Sequence, residues 1–404
     1  MKILHIDETF HPSYGYQVNP LARYQRKQGH DVTILTVDKE HLYGVYKDFG
    51  DDGSTVLAAD MEYMQMSGVD IVRIPTKGYF MHRAIYSKNL FKKIDEINPD
   101  VIFVHCVETI TGMRFLLKKK KYPLMFDSHM LSMATTNRFA KIYETIYKSI
   151  FTRIIKKQRY YVVRTQDDDY VNSHLGIPNE LTPFISFGTD TMLYTPSDDV
   201  RRAFRKNYCI NESDFVVVYT GKLTPGKAGK LLAEAFLKPF NTDKNVVLTI
   251  VGNTPDTEYG KEVDAILEKA AVRVLRFPTQ KYTDLPQFYQ MADLSIFPKQ
   301  CSLSFYDAQA SGLPVLSEDN DINVGRCSHG NGGNFISGNV ESFHHELEKY
   351  INMPSEALQI MREKAVQFIR EGYDYNIIAN QYTDYLFKSI QNYKNHRQNN
   401  KNNI

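Results

Sequence analysis

The chain has 404 residues, 42% of them hydrophobic and 24% charged, with 49 Lys and Arg against 47 Asp and Glu. That length suits two or three globular domains, and a formal net charge of +2 excludes a global electrostatic field for nucleic acid. The four cysteines, Cys106, Cys209, Cys301 and Cys327, have no CxxC spacing, which argues against a structural zinc site or a disulfide framework and suits a reducing compartment.

No run approaches the roughly 20 apolar residues of a membrane span. Met1–Asp7 passes directly into a strand pattern rather than a secretory leader, so a cytoplasmic protein is expected. A composition with 27 Tyr and no Trp suits contact with sugars or with partners and does not choose between them.

In chain order, Lys2–Asp7 predicts a short strand, TFHPSYGYQ a loop, PLARYQRKQGH a helix and Asp31–Val37 a second strand. This order opens a doubly wound parallel sheet. Gly15 stands alone in the first loop, and without GxGxxG a dinucleotide site is poorly supported. His41–Gly68 lacks periodicity and is expected to be a long insertion. A strand at VDIVRIPT, an amphipathic helix over Tyr86–Ile97 and a strongly apolar strand over Asp100–Cys106 follow. After a helix through MRFLLKKKK, the strand PLMFDSH ends at His129, and Val162–Gln166 and Leu181–Ser186 read as the last strands of an α/β domain.

His105 and His129 both end strands, on the side where open α/β sheets bind ligands. A structural role is commoner for such a histidine; His129, just behind Asp127 and Ser128, is the better functional candidate. Asp167-Asp168-Asp169 admits a metal-site reading, but a helix beginning at Thr165 or Gln166 would place these acids in its first turn, where they complement the dipole. In Lys141–Arg159, Ile, Tyr and Phe recur at helical spacing with Lys and Arg between them. A helix packed by one face on the sheet and a helix lying on an anionic membrane surface both fit; the packed helix is the commoner kind.

Phe187–Pro196 reads as a domain boundary, and Asp214–Leu223 starts a fresh apolar strand. Strands at Val246–Asn253, VRVLRF, LSIFP and GGNFIS alternate with helices, giving a second doubly wound domain. In its first loop Lys222 and Lys227 flank Thr224-Pro225-Gly226; with Gly221 they suit a diphosphate, or they are solvated surface lysines. In PKQCSLSFYDAQASGLPVL, Pro298 stops a strand, Gln300–Ser304 forms a loop and a short helix carries Asp307. Asp307 either accepts from sugar hydroxyls or stabilises the helix start.

Together GKLTPGK, VGN, DLPQFYQMADLSIFP and ASGLPV, with FHPSYGYQ and SFGTDTMLYTP upstream, resemble the GT-B retaining glycosyltransferases of the family-4 type. The resemblance implies two Rossmann-like doubly wound parallel-sheet domains facing a cleft, with a C-terminal helix crossing back to the N-terminal domain. The expected division is 1–190 for acceptor, 191–372 for donor, 373–393 for the returning helix and 394–404 for a disordered polar tail.

By the same resemblance Lys222 and Lys227 hold the donor diphosphate beside Gly221, and Gly15 lies near the phosphates or the acceptor. His129 is the active-site histidine near the transferred sugar, and Asp307 is the ribose ligand, one methylene shorter than the family's Glu. The family's first Glu would stand at Lys299, eight residues before Asp307, where no carboxylate is present, and the loop there is about three residues short of the family pattern. Ser302, Leu303 and Ser304 are then the candidates to meet sugar or phosphate. Tyr14, Tyr16 and His105, with the insertion, are the acceptor-side candidates.

The implied reaction is metal-independent retaining transfer from a nucleotide sugar, UDP-linked in preference to GDP-linked, with no cofactor. The acceptor would be a glycan, a lipid-linked molecule or a protein in cell-envelope synthesis, with nucleic acid excluded and peripheral contact at the inner membrane face allowed. A non-catalytic GT-B partner and a nucleotide-sugar epimerase are the competing readings.

Overall fold

A computed structural model of the chain describes residues 1–38, 55–80, 83–118, 121–132 and 139–402. It divides into two units, one comprising Met1–Phe187 with Tyr375–Ile404, the other Gly188–Asp374.

The first unit is built on strands β1 (Lys2–Ile6), β2 (Asp31–Val37), β3 (Asp70–Ile74), β6 (Val101–Val104), β7 (Leu124–Ser128) and β8 (Val162–Arg164), between which the short pair β4 (Thr76–Phe80) and β5 (Arg83–Tyr86) intervenes. The six form one parallel sheet in the order β3-β2-β1-β6-β7-β8. Every residue of β6 and β7 is buried, as a parallel strand covered on both faces requires. The order reverses between β1 and β6, so the crevice suited to a ligand opens at the carboxyl ends of those two strands.

The second unit repeats the plan with β9 (Phe215–Thr220), β10 (Val246–Val251), β11 (Arg273–Phe277), β12 (Leu294–Phe297), β13 (Val315–Glu318) and β14 (Gly332–Phe335), ordered β11-β10-β9-β12-β13-β14. Its reversal lies between β9 and β12. Helices start where side chains can cap them: Thr109, Ser197, Thr257, Asn320 and Asn339 each accept from a backbone N–H three residues on.

The last helix, Tyr375–Asn402, belongs to the first unit. Tyr375, Ile378, Ala379, Tyr382 and Leu386 lie on one face and pack with Tyr24, Phe103 and Ile185. This is the returning helix that the resemblance implies. The tail expected to be disordered is instead helical through Asn402.

Other expectations are corrected. Leu181–Ser186 is no strand: Asn179–Leu181 is a 3-10 turn, and Phe184 makes only an isolated bridge to Arg164. Tyr86 ends β5, and the helix begins at Asn89. Within His41–Gly68, Val56–Ser67 is a helix joined to the first unit by Tyr63 Oη to Asn19 O at 2.6 Å and by Arg73 to Asp60; residues 39–54 lie outside the described residues.

Candidate functional site

On the first unit, β1, β6 and β7 end side by side and deliver His5, His105, Asp127 and His129 to one place. Asp127 Oδ1 accepts from Cys106 N at 2.7 Å and Oδ2 from His105 Nδ1 at 2.7 Å. The other ring nitrogen of His105 lies 3.0 Å from His5 Nδ1, and His5 Nε2 lies 2.7 Å from Gln25 Oε1. His129 Nε2 is 3.3 Å from Asp127 Oδ2, close enough for an ion pair. It does not reach hydrogen-bond geometry. About a third of the His129 side chain is exposed, while Nε2 is turned inward.

The charges follow from this packing. Burial alone would raise Asp127, but the charges of His105 and His129 and the hydrogen bond from His105 win, and its carboxyl lies far below the usual carboxylate range. Burial acts to lower His129, yet Asp127, then Glu108 and Asp7, outweigh it, and its pKa lies above the ordinary histidine value. His5 is pushed down to about 3, by burial first and then by His105.

His105, Asp127 and His129 offer ligand atoms within 4.8 Å of one another, the group among the described residues that could hold a metal ion. Asp127 already accepts from Cys106 N and His105, so its oxygens are committed within the protein, while His129 Nε2 has no hydrogen-bond partner among the described residues. The acceptor contact expected of His105 does not fit either: the residue is 5% exposed and both ring nitrogens are engaged inward. It acts on the site through Asp127, as a positioning residue.

Tyr14, Gly15 and Tyr16 lie in the loop after β1, on this same edge. The Tyr14 ring packs on His11, and Tyr16 is 39% exposed. Two carboxylates that sequence reading passed over are here as well. The four carboxylate oxygens of Glu8 and Glu108 are buried and make no well-formed hydrogen bond among the described residues; burial raises both, with Thr111 pulling Glu8 the other way. Arg83 is the cation facing them. Nothing in their spacing marks them, because β5 brings Arg83 to them only in the folded sheet.

The acids 167–169 do not gather at a ligand site. Asp168 accepts from Ser132 N, Ser132 Oγ and Tyr170 N. The helix they precede starts at Tyr170, five residues later than Thr165, and runs only to Ser173.

On the second unit, the loop after β9 carries Gly221, Lys222 and Lys227, and the loop after β12 carries Ser302–Ser304 and Asp307. Because β9 and β12 are neighbours, the structure brings these two groups together at the sheet's reversal. Close backbone contact demands glycine nearby: a Cβ at Gly252 would lie 2.0 Å from Gly221 O. Lys227 is partly buried, and among the described residues its ammonium has no hydrogen-bond or ion-pair partner. Burial lowers its pKa, offset in part by Cys301 and Glu318. Ala228, directly behind it, is left-handed at φ 53°.

Asp307 is 6% exposed. Its Oδ1 accepts from Thr189 Oγ1 at 2.6 Å and Tyr282 Oη at 3.3 Å, which leaves Oδ2 for any ligand. Burial raises its carboxyl to about 7, against the pull of those two hydroxyls.

Lys299 is exposed and supplies no carboxylate. Glu318, at the end of β13, reaches the loop instead. Its Oε1 accepts from Gln300 N at 2.6 Å and its Oε2 from Ser337 Oγ at 2.7 Å. Gln300 is left-handed at φ 63°, and Arg326 donates to Ser302 O at 3.3 Å while lying over the Tyr306 ring. The loop is therefore pinned from β13 and from the helix Asp321–Cys327, a role for Glu318 that only the register of β12 with β13 reveals.

Comparison with known proteins agrees with this architecture. Residues 16–221 match the family described as Glycosyltransferase Family 4, and residues 200–372 match Glycosyl transferases group 1. The alpha-monoglucosyldiacylglycerol synthase of Acholeplasma laidlawii is 23% identical over 310 residues, 71% of this chain and 75% of that protein. The lipopolysaccharide 1,2-N-acetylglucosaminetransferase of Salmonella typhimurium is 28% identical over 141 residues, 32% of this chain and 36% of that one. Among solved structures, Anabaena Alr3699/HepE in complex with UDP-glucose has a TM-score of 0.73 at 17% identity, covering 96% of this chain and all (100%) of the other. WaaG, a glycosyltransferase involved in lipopolysaccharide biosynthesis, has a TM-score of 0.65 at 16% identity, covering 95% and 99%. These structural likenesses establish the fold, two Rossmann-like units of the GT-B kind.

Proposed function

The chain belongs to glycosyltransferase family 4, and from that premise we propose that it transfers a sugar from a nucleoside-diphosphate sugar to a hydroxyl of an envelope glycan or glycolipid, with retention and without a metal. The observation that carries this reading is Lys227. Its ammonium, without a hydrogen-bond or ion-pair partner among the described residues, lies at the reversal of the second sheet, next to a loop fixed in place by Glu318 and Arg326. A diphosphate is the ligand chemistry that uses such a cation.

In this reading Lys222, Lys227 and the backbone beyond Gly221 take up the negative charge that grows on the leaving diphosphate. Asp307 offers Oδ2 to the ribose, and Ser302–Ser304 meet the phosphate or sugar. His129, whose pKa the neighbouring Asp127 raises, hydrogen-bonds the sugar being transferred. Tyr14, Gly15 and Tyr16 serve the acceptor. UDP is the preferred nucleotide, since a similar fold holds UDP-glucose. A lipid-linked acceptor is preferred because the named relatives make a glucosyl diacylglycerol and a lipopolysaccharide.

The test is incubation with a panel of nucleotide sugars, read as release of free nucleotide. One donor is expected to be hydrolysed slowly, and Lys227→Ala should lower that rate by about 100-fold to 1,000-fold, the usual cost of losing a charge-stabilising donor. Failure of every donor to bind in calorimetry would favour a non-catalytic partner. Conversion of the donor sugar with no acceptor would favour an epimerase.

A further inference from the structure

The helical stretch from Ala140 to Gln158, interrupted by a π-turn at Lys148–Thr152, has two apolar faces where a surface helix needs one. The inner face carries Tyr143, Tyr147, Phe151 and Ile155 against the first unit's core. Tyr143 Oη donates to Glu108 O at 2.6 Å and Tyr147 Oη to Val107 O at 3.2 Å. The outer face carries Phe139, Ile142, Ile146 and Ile150, exposed by 55%, 62%, 51% and 46%. Steps of three, four and four residues set these side chains one above another along successive turns. Single exposed apolar residues are ordinary, but a contiguous row of four marks an interaction surface.

The charge beside the row identifies what it meets. Lys141, Arg153, Lys156 and Lys157 are exposed on the same stretch. Its single acid, Glu144, is engaged by His174 Nδ1 at 2.8 Å. An apolar row flanked by cations matches the boundary between acyl chains and anionic headgroups. An acidic protein groove would satisfy the lysines but would leave the isoleucines against charge.

We propose that this face docks on an anionic lipid bilayer, with Phe139, Ile142, Ile146 and Ile150 entering the headgroup boundary and the flanking Lys and Arg meeting lipid phosphates. The tyrosine hydrogen bonds to Val107 and Glu108 tie the docking helix to the loop that follows β6, whose Val107 N donates to Asp127 O. Docking therefore brings the proposed acceptor edge to the membrane surface. Only this last consequence rests on the proposed function, since lipid binding is measured without donor or acceptor.

The experiment is sedimentation of the full chain with vesicles of phosphatidylcholine alone and of phosphatidylcholine mixed with phosphatidylglycerol. Binding to the mixed vesicles should be at least about tenfold tighter and should weaken as salt screens the lysines. The double variant Ile142→Asp, Ile146→Asp should lose binding by about tenfold or more, because carboxylates replace the buried apolar contact. Its circular dichroism and melting temperature should match the parent, since both side chains are solvent-exposed. Lys156→Glu with Lys157→Glu should abolish the preference for the mixed vesicles. The proposal is overturned if the parent binds the two vesicle types equally or not at all, or if the isoleucine variant binds undiminished. It is equally overturned if the parent forms a dimer in ultracentrifugation that the isoleucine variant breaks while vesicle binding is unchanged, which would make the row an interface between copies.

Discussion

At Asp127 a fully buried carboxylate sets the state of two histidines, and the consequences of replacing it follow from its contacts with Cys106 N, His105 and His129. Asp127→Asn keeps an acceptor for Cys106 N but turns an N–H toward a ring nitrogen that donates. The expected cost is about 1–3 kcal/mol from the unsatisfied pair, read by urea unfolding. The same change removes the main charge that raises His129, so the midpoint of the His129 imidazole titration in NMR should move down. An unchanged midpoint would mean that the ring is not governed by Asp127. The linkage signs differ within this cluster. The depressed Asp127 contributes stability above the unfolded carboxyl pKa, about 3.9, and loses it as pH falls below that value. The raised His129 contributes stability below about 6.5 and loses it as pH rises through its folded pKa. Ala228 offers a separate residue-scale test. Its left-handed backbone strains a Cβ, so Ala228→Gly should raise stability by about 0.5–1 kcal/mol in urea unfolding, with Lys227 kept in place. The pattern GKLTPGKAGK shows that Ala follows Lys227, but the positive φ that gives this Ala a cost is visible only in the fold.

At the scale of elements, the loop Gln300–Ser304 depends on a neighbour in the sheet. Glu318→Gln preserves size and one acceptor but removes the charge-assisted bonds to Gln300 N and Ser337 Oγ. The loop should loosen, and donor affinity in calorimetry should fall by about tenfold, the effect of losing a bond or two of this type. The melting temperature should change little, because the end of β13 is already held by β12 and β14. An unaltered affinity would show that the loop holds its shape without Glu318. Sequence reading found the shortened loop and the missing carboxylate at Lys299, and it placed most strands and helices. It lost Leu181–Ser186, whose strand-like residues are held by tertiary contacts with only one bridge. It also lost the helix Val56–Ser67, whose apolar residues are too evenly spread around the axis to show a helical period.

Across the whole molecule, each unit has its own core and its own buried charge cluster. In the second unit Asp293 is held by Arg201, Arg205 and Arg362 at 2.7–2.8 Å. Burial opposes its ionisation, but the three guanidinium groups hold its carboxyl below the usual range. Asp293→Ala would leave three partly buried cations uncompensated and should cost about 3–5 kcal/mol at neutral pH. The depressed carboxyl stabilises above about pH 4 and is lost as pH falls, so the deficit of the variant relative to the parent should shrink on acidification. A deficit that stays constant between neutral and acidic unfolding curves would rule out this electrostatic origin.

The alternation of apolar strands with amphipathic helices determined two doubly wound units from sequence alone, because period-two and period-3.6 patterns are local and each strand is covered on both faces. The spacing of Lys222, Lys227 and Asp307, the loop that lacks a carboxylate at Lys299, and the basic Lys141–Arg159 stretch were legible in the same way. Only the tertiary structure decided which side chains meet: that His105 is spent on Asp127 and His5, that Glu318 pins Gln300, and that Ile142, Ile146 and Ile150 face outward while Tyr143 and Tyr147 face the core. These outcomes depend on strand register and on burial between residues far apart in the chain, and periodicity along one segment carries no information about its neighbours.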